Sequence, residues 1–321
     1  MKILVVGGSG FIGRNFINRI SLPFGGLRTP YTCYATYNTS VEFPASLSIS
    51  WDGYTQAVKV DLLRAQETTD IMKSIGNKFD VCLYAMGNSD IGKSCKDPDF
   101  DIKMNINALL NLIQSIYVKK FIFISSGAVY EGHKGLVNPT LPVNPTIPYA
   151  INKLMSERYI DYFQKHTDHI DNYLCLRFFG AYGPLELPRK IYTNLVKAFH
   201  FDKKNEYVIT GDGKNYIDAM YVDDMTNALV KMVESDKGNK ILDFCFGRPL
   251  TINELVMKAA RVFSIEDLTL KHNGTSSEYT TFYASSDEIK ALFGFAPCIG
   301  LGCGLKDFSD YLSVQENLCR N

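Results

Sequence analysis

Short apolar runs alternate along the chain with longer stretches whose apolar residues recur every three or four positions. Ile3–Val6 is a continuous apolar run and predicts a buried strand. Phe11 to Ile20 has helical spacing. Tyr31 to Tyr37, Ala57 to Val60, Phe79 to Ala85 and Phe121 to Ser125 predict further strands. Between the last two, residues 104–118 (MNINALLNLIQSIYV) predict a helix. Strands separated by helix-length crossovers specify an α/β protein with a doubly wound parallel sheet. Asn138 to Pro148 is rich in proline and reads as a loop, and a helical pattern follows through Ile160. From about Gly183 the rhythm loosens, which places a lobe boundary near residue 180.

Composition narrows the function. With 34 Lys and Arg against 34 Asp and Glu, the net charge is +0, which argues against a protein that neutralises the phosphates of a nucleic acid. No apolar stretch approaches the ~18 residues of a membrane span. The N-terminal MKILVVGGSG reads as a strand and not as an export signal, so the expected compartment is the cytoplasm. The eight cysteines form no C-x-x-C pair, and Cys82 and Cys175 sit in strand-like runs, as reduced thiols packed as small hydrophobes do. The five histidines form no ligand pattern, and no metal is expected.

Two clusters carry chemistry. Gly7, Gly10 and Gly13 spell G-x-x-G-x-x-G directly after the first strand and at the start of a helix. Such a turn brings backbone N–H groups and the positive end of a helix to a pyrophosphate. Tyr149 and Lys153 lie four apart, on one helix face. An ammonium beside a phenol stabilises phenolate and makes it an acid or base for a carbonyl/alcohol pair. Alone, that spacing equally describes a solvated helix. Ser125-Ser126-Gly127, ending an apolar strand about two dozen residues earlier, changes the balance. Ligands of doubly wound sheets bind at the carboxyl ends of strands, where Ser126 can hold a substrate oxygen.

In these residues the chain resembles the extended short-chain dehydrogenase/reductase family of nucleotide-sugar epimerases, dehydratases and 4-keto reductases. The resemblance covers nearly the whole chain. It implies a Rossmann-type domain over residues 1–180, to which 218–246 return, and a smaller C-terminal α/β substrate lobe over 181–321. The dinucleotide contacts it implies are Gly7, Gly10, Phe11, Ile12, Gly13 and Arg14 in the first loop and helix, and Tyr37 and Asn38 after the second strand. Asp61 and Leu62 follow the third strand, Tyr84 and Ala85 end the fourth, and Asn105, Tyr149, Lys153 and Phe179 complete the set. Ser126, Tyr149 and Lys153 match the catalytic residues, with hydride transfer the implied chemistry. Ser126, Gly127, Gly180, Arg189 and Arg248 are the implied substrate contacts. A homodimer through the helices near Asn105–Val118 and Tyr149–Ile160 is implied as well.

The departures discriminate among the family's reactions. Its 4,6-dehydratases carry Asp-Glu after the catalytic hydroxyl; here Gly127-Ala128 cannot transfer protons. Tyr37 stands where an NAD site usually has a carboxylate for the ribose, and Arg14 can reach a 2′-phosphate. Both NADP and NAD fit, with the tilt toward NADP. Gly180 replaces the family's Asn and Ile217 replaces an Arg, and residues 273–278 lack its Arg-x-Gly-Asp segment. Those arginines clamp the substrate diphosphate, and Arg189, Lys190, Arg248 or Lys271 can substitute. Asp223-Asp224 reads as a helix-capping junction. The expected activity is reduction of a 4-keto group on a nucleotide-activated sugar. The alternative is 4-epimerisation with tightly bound NAD, and a third reading is reduction of another carbonyl substrate.

Overall fold

A computed structural model describes residues 1–21, 31–47, 54–274 and 280–320, so residues 275–278 of the segment lacking the arginine lie outside the described residues. The chain divides into two compact units. Residues 1–131, 139–178 and 226–244 form the first; residues 132–138, 179–225 and 245–321 form the second.

The first unit is built on a seven-stranded sheet. Its strands are β1 (Lys2–Val6), β2 (Thr32–Tyr37), β3 (Tyr54–Lys59), β4 (Lys78–Tyr84), β5 (Tyr117–Ile124), β6 (Tyr173–Phe178) and β7 (Lys240–Phe244). They lie in the order β7-β6-β5-β4-β1-β2-β3, every pair parallel. The order reverses direction beside β1, which puts the glycine turn at the switch point of the sheet. Leu4, Cys82, Phe121, Phe123 and Cys175 belong to one apolar cluster that also takes Leu109, Leu112 and Ile113 from the crossover before β5. Burial pushes the Cys82 and Cys175 thiols well above their ordinary range.

Two elements differ from the sequence reading. β5 begins at Tyr117, not Phe121, because residues 117–120 alternate between exposed and buried and pair with Lys78, Phe79 and Val81. Buried Lys120, which breaks the apolar run, donates from Nζ to the carbonyls of Met232 and Ser235 at the end of helix Val222–Glu234. The crossover expected as one helix over 104–118 has three parts: a helix Pro98–Ile102, a wider turn Lys103–Asn107 and a helix Ala108–Ile113. Within the wider turn the Ala108 N–H bonds Lys103 O, five residues back, so the residues between are displaced from regular helical positions.

In the second unit, helix Ile191–Val196 runs into a wider turn at Lys197–Phe201. Strand Glu206–Thr210 pairs with Thr269–Asn273, and Tyr216–Ile217 with Leu250–Thr251. Helix Ile252–Val262 starts in a capping box, Thr251 and Glu254 each bonding the other's backbone N–H. The Asp224 carboxylate does not cap its own helix. It accepts from the N–H groups of Cys298 and Ile299 and so anchors the chain before helix Leu301–Arg320. Among the described residues, no helix is long and apolar enough to cross a membrane.

Candidate active site

The glycine turn is fixed by its own backbone. Gly7 has φ +81, which favours glycine, and its carbonyl accepts from Gly10 N at 3.0 Å. A Cβ on Gly13 would stand 2.4 Å from Gly7 O, so helix Phe11–Ile20 can approach the turn this closely only with glycine there. Thr36 at the end of β2 holds the turn from the other side. Its Oγ1 accepts from Gly7 N at 3.1 Å and its carbonyl from Gly8 N at 2.8 Å. No side chain caps the helix that begins after Gly10, which leaves its N-terminal dipole for an anion.

The hydroxyl residues follow β5. Ser126 has extended backbone, and its Oγ accepts from Ala128 N at 3.1 Å, closing the tight turn Gly127–Tyr130. The same hydroxyl lies beside the phenol of Tyr149 and favours its ionised form. Helix Pro148–His166 carries Tyr149 and Lys153, with Pro148 in its first turn, where a missing N–H costs nothing. The chain entering it is clamped by Glu131, whose carboxylate accepts from Thr146 N, Thr146 Oγ1 and Ile147 N at 2.7–2.9 Å.

Tyr149 and Lys153 are both buried, and Lys153 Nζ donates to Ile124 O at 3.1 Å. That ammonium lies 5.9 Å from the Tyr149 ring centre and 5.0 Å from that of Phe123. The sequence predicts that Lys153 draws the Tyr149 pKa down, and the structure corrects this. Burial pushes Tyr149 up, the Ser126 hydroxyl opposes it, and the Asp101 charge pushes it further up. Burial also lowers Lys153, to about 8, against the opposing charges of Asp101 and Glu157. In a dry site desolvation outweighs the pairing.

A second acidic group, which sequence reading missed, supports this helix. Glu157 accepts from Ser125 Oγ at 2.6 Å and from Arg177 Nε and Nη2 at 3.1 and 2.9 Å. Both members of this ion pair are buried. Arg177 also lies 4.8 Å over the Tyr130 ring, whose hydroxyl donates to Asp243 on β7. The network joins β5, β6, β7 and helix Pro148–His166. Breaking such a buried pair by removing one partner costs about 3–5 kcal/mol. The four-residue steps from Tyr149 to Lys153 to Glu157 signal one face, but nothing local marks Arg177 as the partner.

The remaining expected residues fall into groups. Asn105 lies on the wider turn of the crossover; its Nδ2 donates to Asp101 Oδ1 at 2.9 Å, and its Oδ1 is buried without a partner. A Cβ on Gly87 (φ +145) would meet that oxygen at 2.3 Å, so Gly87 leaves the space in front of it open. The Asp61 carboxylate is spent on its own turn, accepting from Leu63 N and facing Arg64. Tyr37 packs on Phe43, Asn38 is exposed, and Phe11, Ile12 and Arg14 are half-buried in the first turn of their helix. Ala85 N bonds Val6 O, tying β4 to β1. The Tyr84 ring is fully buried against Phe121 and Phe123, and the Leu62 side chain lies in the same apolar cluster, so these two positions can offer a cofactor only their backbone. At Tyr84 the strand end brings the backbone to the rim, whereas the pleat turns the ring inward.

Within the second unit, Ile217, Asp218 and Arg248 line one cleft with Tyr182, Tyr192 and Phe246. Asp218 accepts from Gly247 N and Arg248 N at 3.0 Å each, which fixes the turn that presents Arg248. The Arg248 guanidinium stands 5.4 Å from the Phe246 ring. Gly180 has φ +121 and packs towards Ala219, Phe179 meets Phe282 edge-on, and Arg189 is exposed. Among the described residues, no group of three His, Cys, Asp or Glu side chains gathers as a metal site.

A parallel doubly wound sheet, a glycine turn at its switch point and a buried Ser–Tyr–Lys set define a nicotinamide-dependent enzyme. The chain belongs to the NAD dependent epimerase/dehydratase family, whose family model matches residues 3–244. NAD, one of the two cofactors expected, is the cofactor of this family. The chain is 22% identical over 325 residues to the UDP-glucose 4-epimerase of Mycolicibacterium smegmatis, covering 95% of this chain and 96% of that protein. It is 23% identical over 253 residues to the UDP-glucuronate 4-epimerase of Thermodesulfobacterium geofontis, covering 77% and 76%. The fold is that of the UDP-glucuronic acid 4-epimerase of Bacillus cereus, solved with UDP-glucuronic acid and NAD, at TM-score 0.83, 23% identity, 98% of this chain and 100% of that one.

Proposed function

We propose that the protein is an NAD-dependent 4-epimerase of a UDP-activated hexose or hexuronic acid. The observation that carries this reading is the single hydroxyl–phenol–ammonium set formed by Ser126, Tyr149 and Lys153, with no proton-transferring residue at Gly127 or Ala128. One acid–base pair serves oxidation and re-reduction at a single carbon. A dehydratase needs further groups to move protons at neighbouring carbons. The relatives named UDP-sugar 4-epimerases support epimerisation over reduction.

The cofactor fits the residues present. The uncapped helix start after Gly10 would hold its pyrophosphate, Gly13 permits a close approach, and the unpartnered Asn105 Oδ1 would accept from a donor placed before Gly87. When bound, NAD supplies a hydride acceptor and donor at its nicotinamide. Tyr149 removes the proton of the sugar 4-hydroxyl and later returns one to the 4-keto oxygen. Ser126 holds that oxygen and directs it to the phenol. Lys153 supplies positive charge to the phenolate side of this exchange. The substrate diphosphate is assigned to Arg248, which stands in the cleft where Ile217 leaves no cation.

A homodimer and a cytoplasmic setting belong to the same reading. Ile151, Met155 and Tyr162 project half-exposed from the helix that carries Tyr149, an apolar stripe suited to a second copy.

The test is incubation of the purified protein with UDP-glucose or UDP-glucuronic acid, without added NADH or NADPH, followed by separation of the C4 epimers. The expected result is catalytic interconversion, NAD released on denaturation, and a loss of ~100-fold or more in Tyr149→Phe. Stoichiometric consumption of NADPH on a 4-keto sugar, with no epimer formed, would establish instead the reductase that Tyr37 at the end of β2 also accommodates.

A further inference from the structure

A carboxylate with no exposed surface lies beside the catalytic helix, and the reaction above does not use it. Asp101 is in the short helix Pro98–Ile102. Its Oδ1 accepts from Asn88 Nδ2 at 2.6 Å and from Asn105 Nδ2 at 2.9 Å; its Oδ2 accepts from Asn152 Nδ2 at 2.7 Å. Among the described residues, no Lys or Arg forms an ion pair with it. Three neutral amides therefore solvate a buried charge that elsewhere would demand a counter-ion.

The partners come from three parts of the site. Asn88 follows β4, Asn105 lies on the wider turn of the crossover, and Asn152 stands between Tyr149 and Lys153. A carboxylate only accepts, so each amide must turn its NH2 to Asp101 and its oxygen away. At Asn88 the oxygen accepts from Asp90 N. At Asn105 it is left buried and unpartnered before Gly87. The backbone is tied in as well: Ser156 Oγ donates to Asn105 O at 3.1 Å and to Asn152 O at 2.9 Å.

We propose that Asp101 is a positioning residue for this enzyme: its buried charge fixes which way the Asn105 amide faces and holds Lys153 as an ammonium. The electrostatics agree. Burial drives Lys153 down to about 8, and Asp101 is the larger of the two charges that oppose the fall. The ionisable groups around Lys153 are Tyr149 and Glu157 on its own helix and Asp101 from helix Pro98–Ile102. Glu157 is engaged by Arg177 and Ser125, and Tyr130 is turned to Asp243. Lys93, on the neighbouring helix Ile91–Lys96, lies over the Phe100 ring. Asp101 thus has no competing role as a partner of another cation. Its charge also raises Tyr149.

The inference rests on the acid–base reading of Tyr149 and Lys153, and its test does not require turnover. Lysines labelled with 13C at Cε are titrated by NMR in the full chain, and Lys153→Met assigns the resonance. Asp101→Asn is expected to lower the Lys153 midpoint by about one pH unit, a tenfold loss of proton affinity. Asp101→Ser, which leaves room for a water among the amides, is read in the same way if the Asn variant does not fold. With UDP-glucose as substrate, both limbs of the kcat profile move to lower pH while KM changes little. A purely structural role lowers the unfolding temperature and leaves the midpoint in place, and an unmoved midpoint in a folded variant overturns the proposal. Inactivity of wild type toward UDP-glucose, with the midpoint shifted as expected, rejects the substrate and not the role of Asp101.

Discussion

At Tyr149 and Lys153 the cost of burial exceeds the gain from neighbours. Both side chains are less than a tenth exposed, and each is pushed toward its neutral form. For Lys153 the sign of the pH dependence follows. Its ammonium is fully present below about 8 and is lost as pH rises through that value. If the ammonium is required, kcat for UDP-sugar interconversion falls above about pH 8, and Lys153→Met removes that alkaline limb together with most of the activity. Initial rates from pH 6 to 10 check this; a limb retained in the Met variant would assign it to another group. The ranking of these terms is invisible in Tyr149-Ala-Ile-Asn-Lys153. The spacing shows that the two side chains share a face, whereas their dryness depends on Phe123, Ile124 and the crossover before β5.

At the scale of elements, the glycine turn and the first helix behave as one unit. The Gly13 position meets the Gly7 carbonyl and the Cα of Gly8, so an added methyl cannot be absorbed by a side-chain rotation. Gly13→Ala is expected to displace helix Phe11–Ile20 from the turn and to weaken NAD binding by ~10-fold or more, since close approach of the helix N-terminus is what the pyrophosphate contacts. Titration of the apoprotein with NAD measures it, and unchanged affinity would mean that the helix tolerates the shift. This element was legible from sequence because its reason is local: four glycines in seven residues, directly after an apolar run. The crossover before β5 was not. Its apolar periodicity survives across a break, and the wider turn at Lys103–Asn107 follows from a backbone bond that composition does not encode.

At the scale of the whole molecule, the proposed homodimer rests on the apolar stripe of helix Pro148–His166. Ile151, Met155 and Tyr162 face away from the side chains that serve the site. Met155→Glu places a charge in the middle of that stripe. Sedimentation is expected to show a dimer for wild type and a monomer for the variant, each retaining a folded thermal transition. A monomeric wild type at micromolar concentration would remove the stripe's assigned role.

The sequence by itself determined the parallel sheet and the glycine turn after its first strand, and it marked Ser126, Tyr149 and Lys153 as candidates. Each of these is written in a contiguous pattern: apolar runs of strand length, glycines where a helix meets a turn, and a four-residue step on one helix face. Tertiary structure alone decided what surrounds them. Asp101 reaches Asn152 across 51 positions, Glu157 reaches Arg177 across 20, and Tyr130 reaches Asp243 across 113. It also decided that Tyr84 and Leu62 turn into the core. Long-range packing fixes the local dielectric and the directions of hydrogen bonds, and these set the protonation of a catalytic group. A residue pattern names the group without its surroundings.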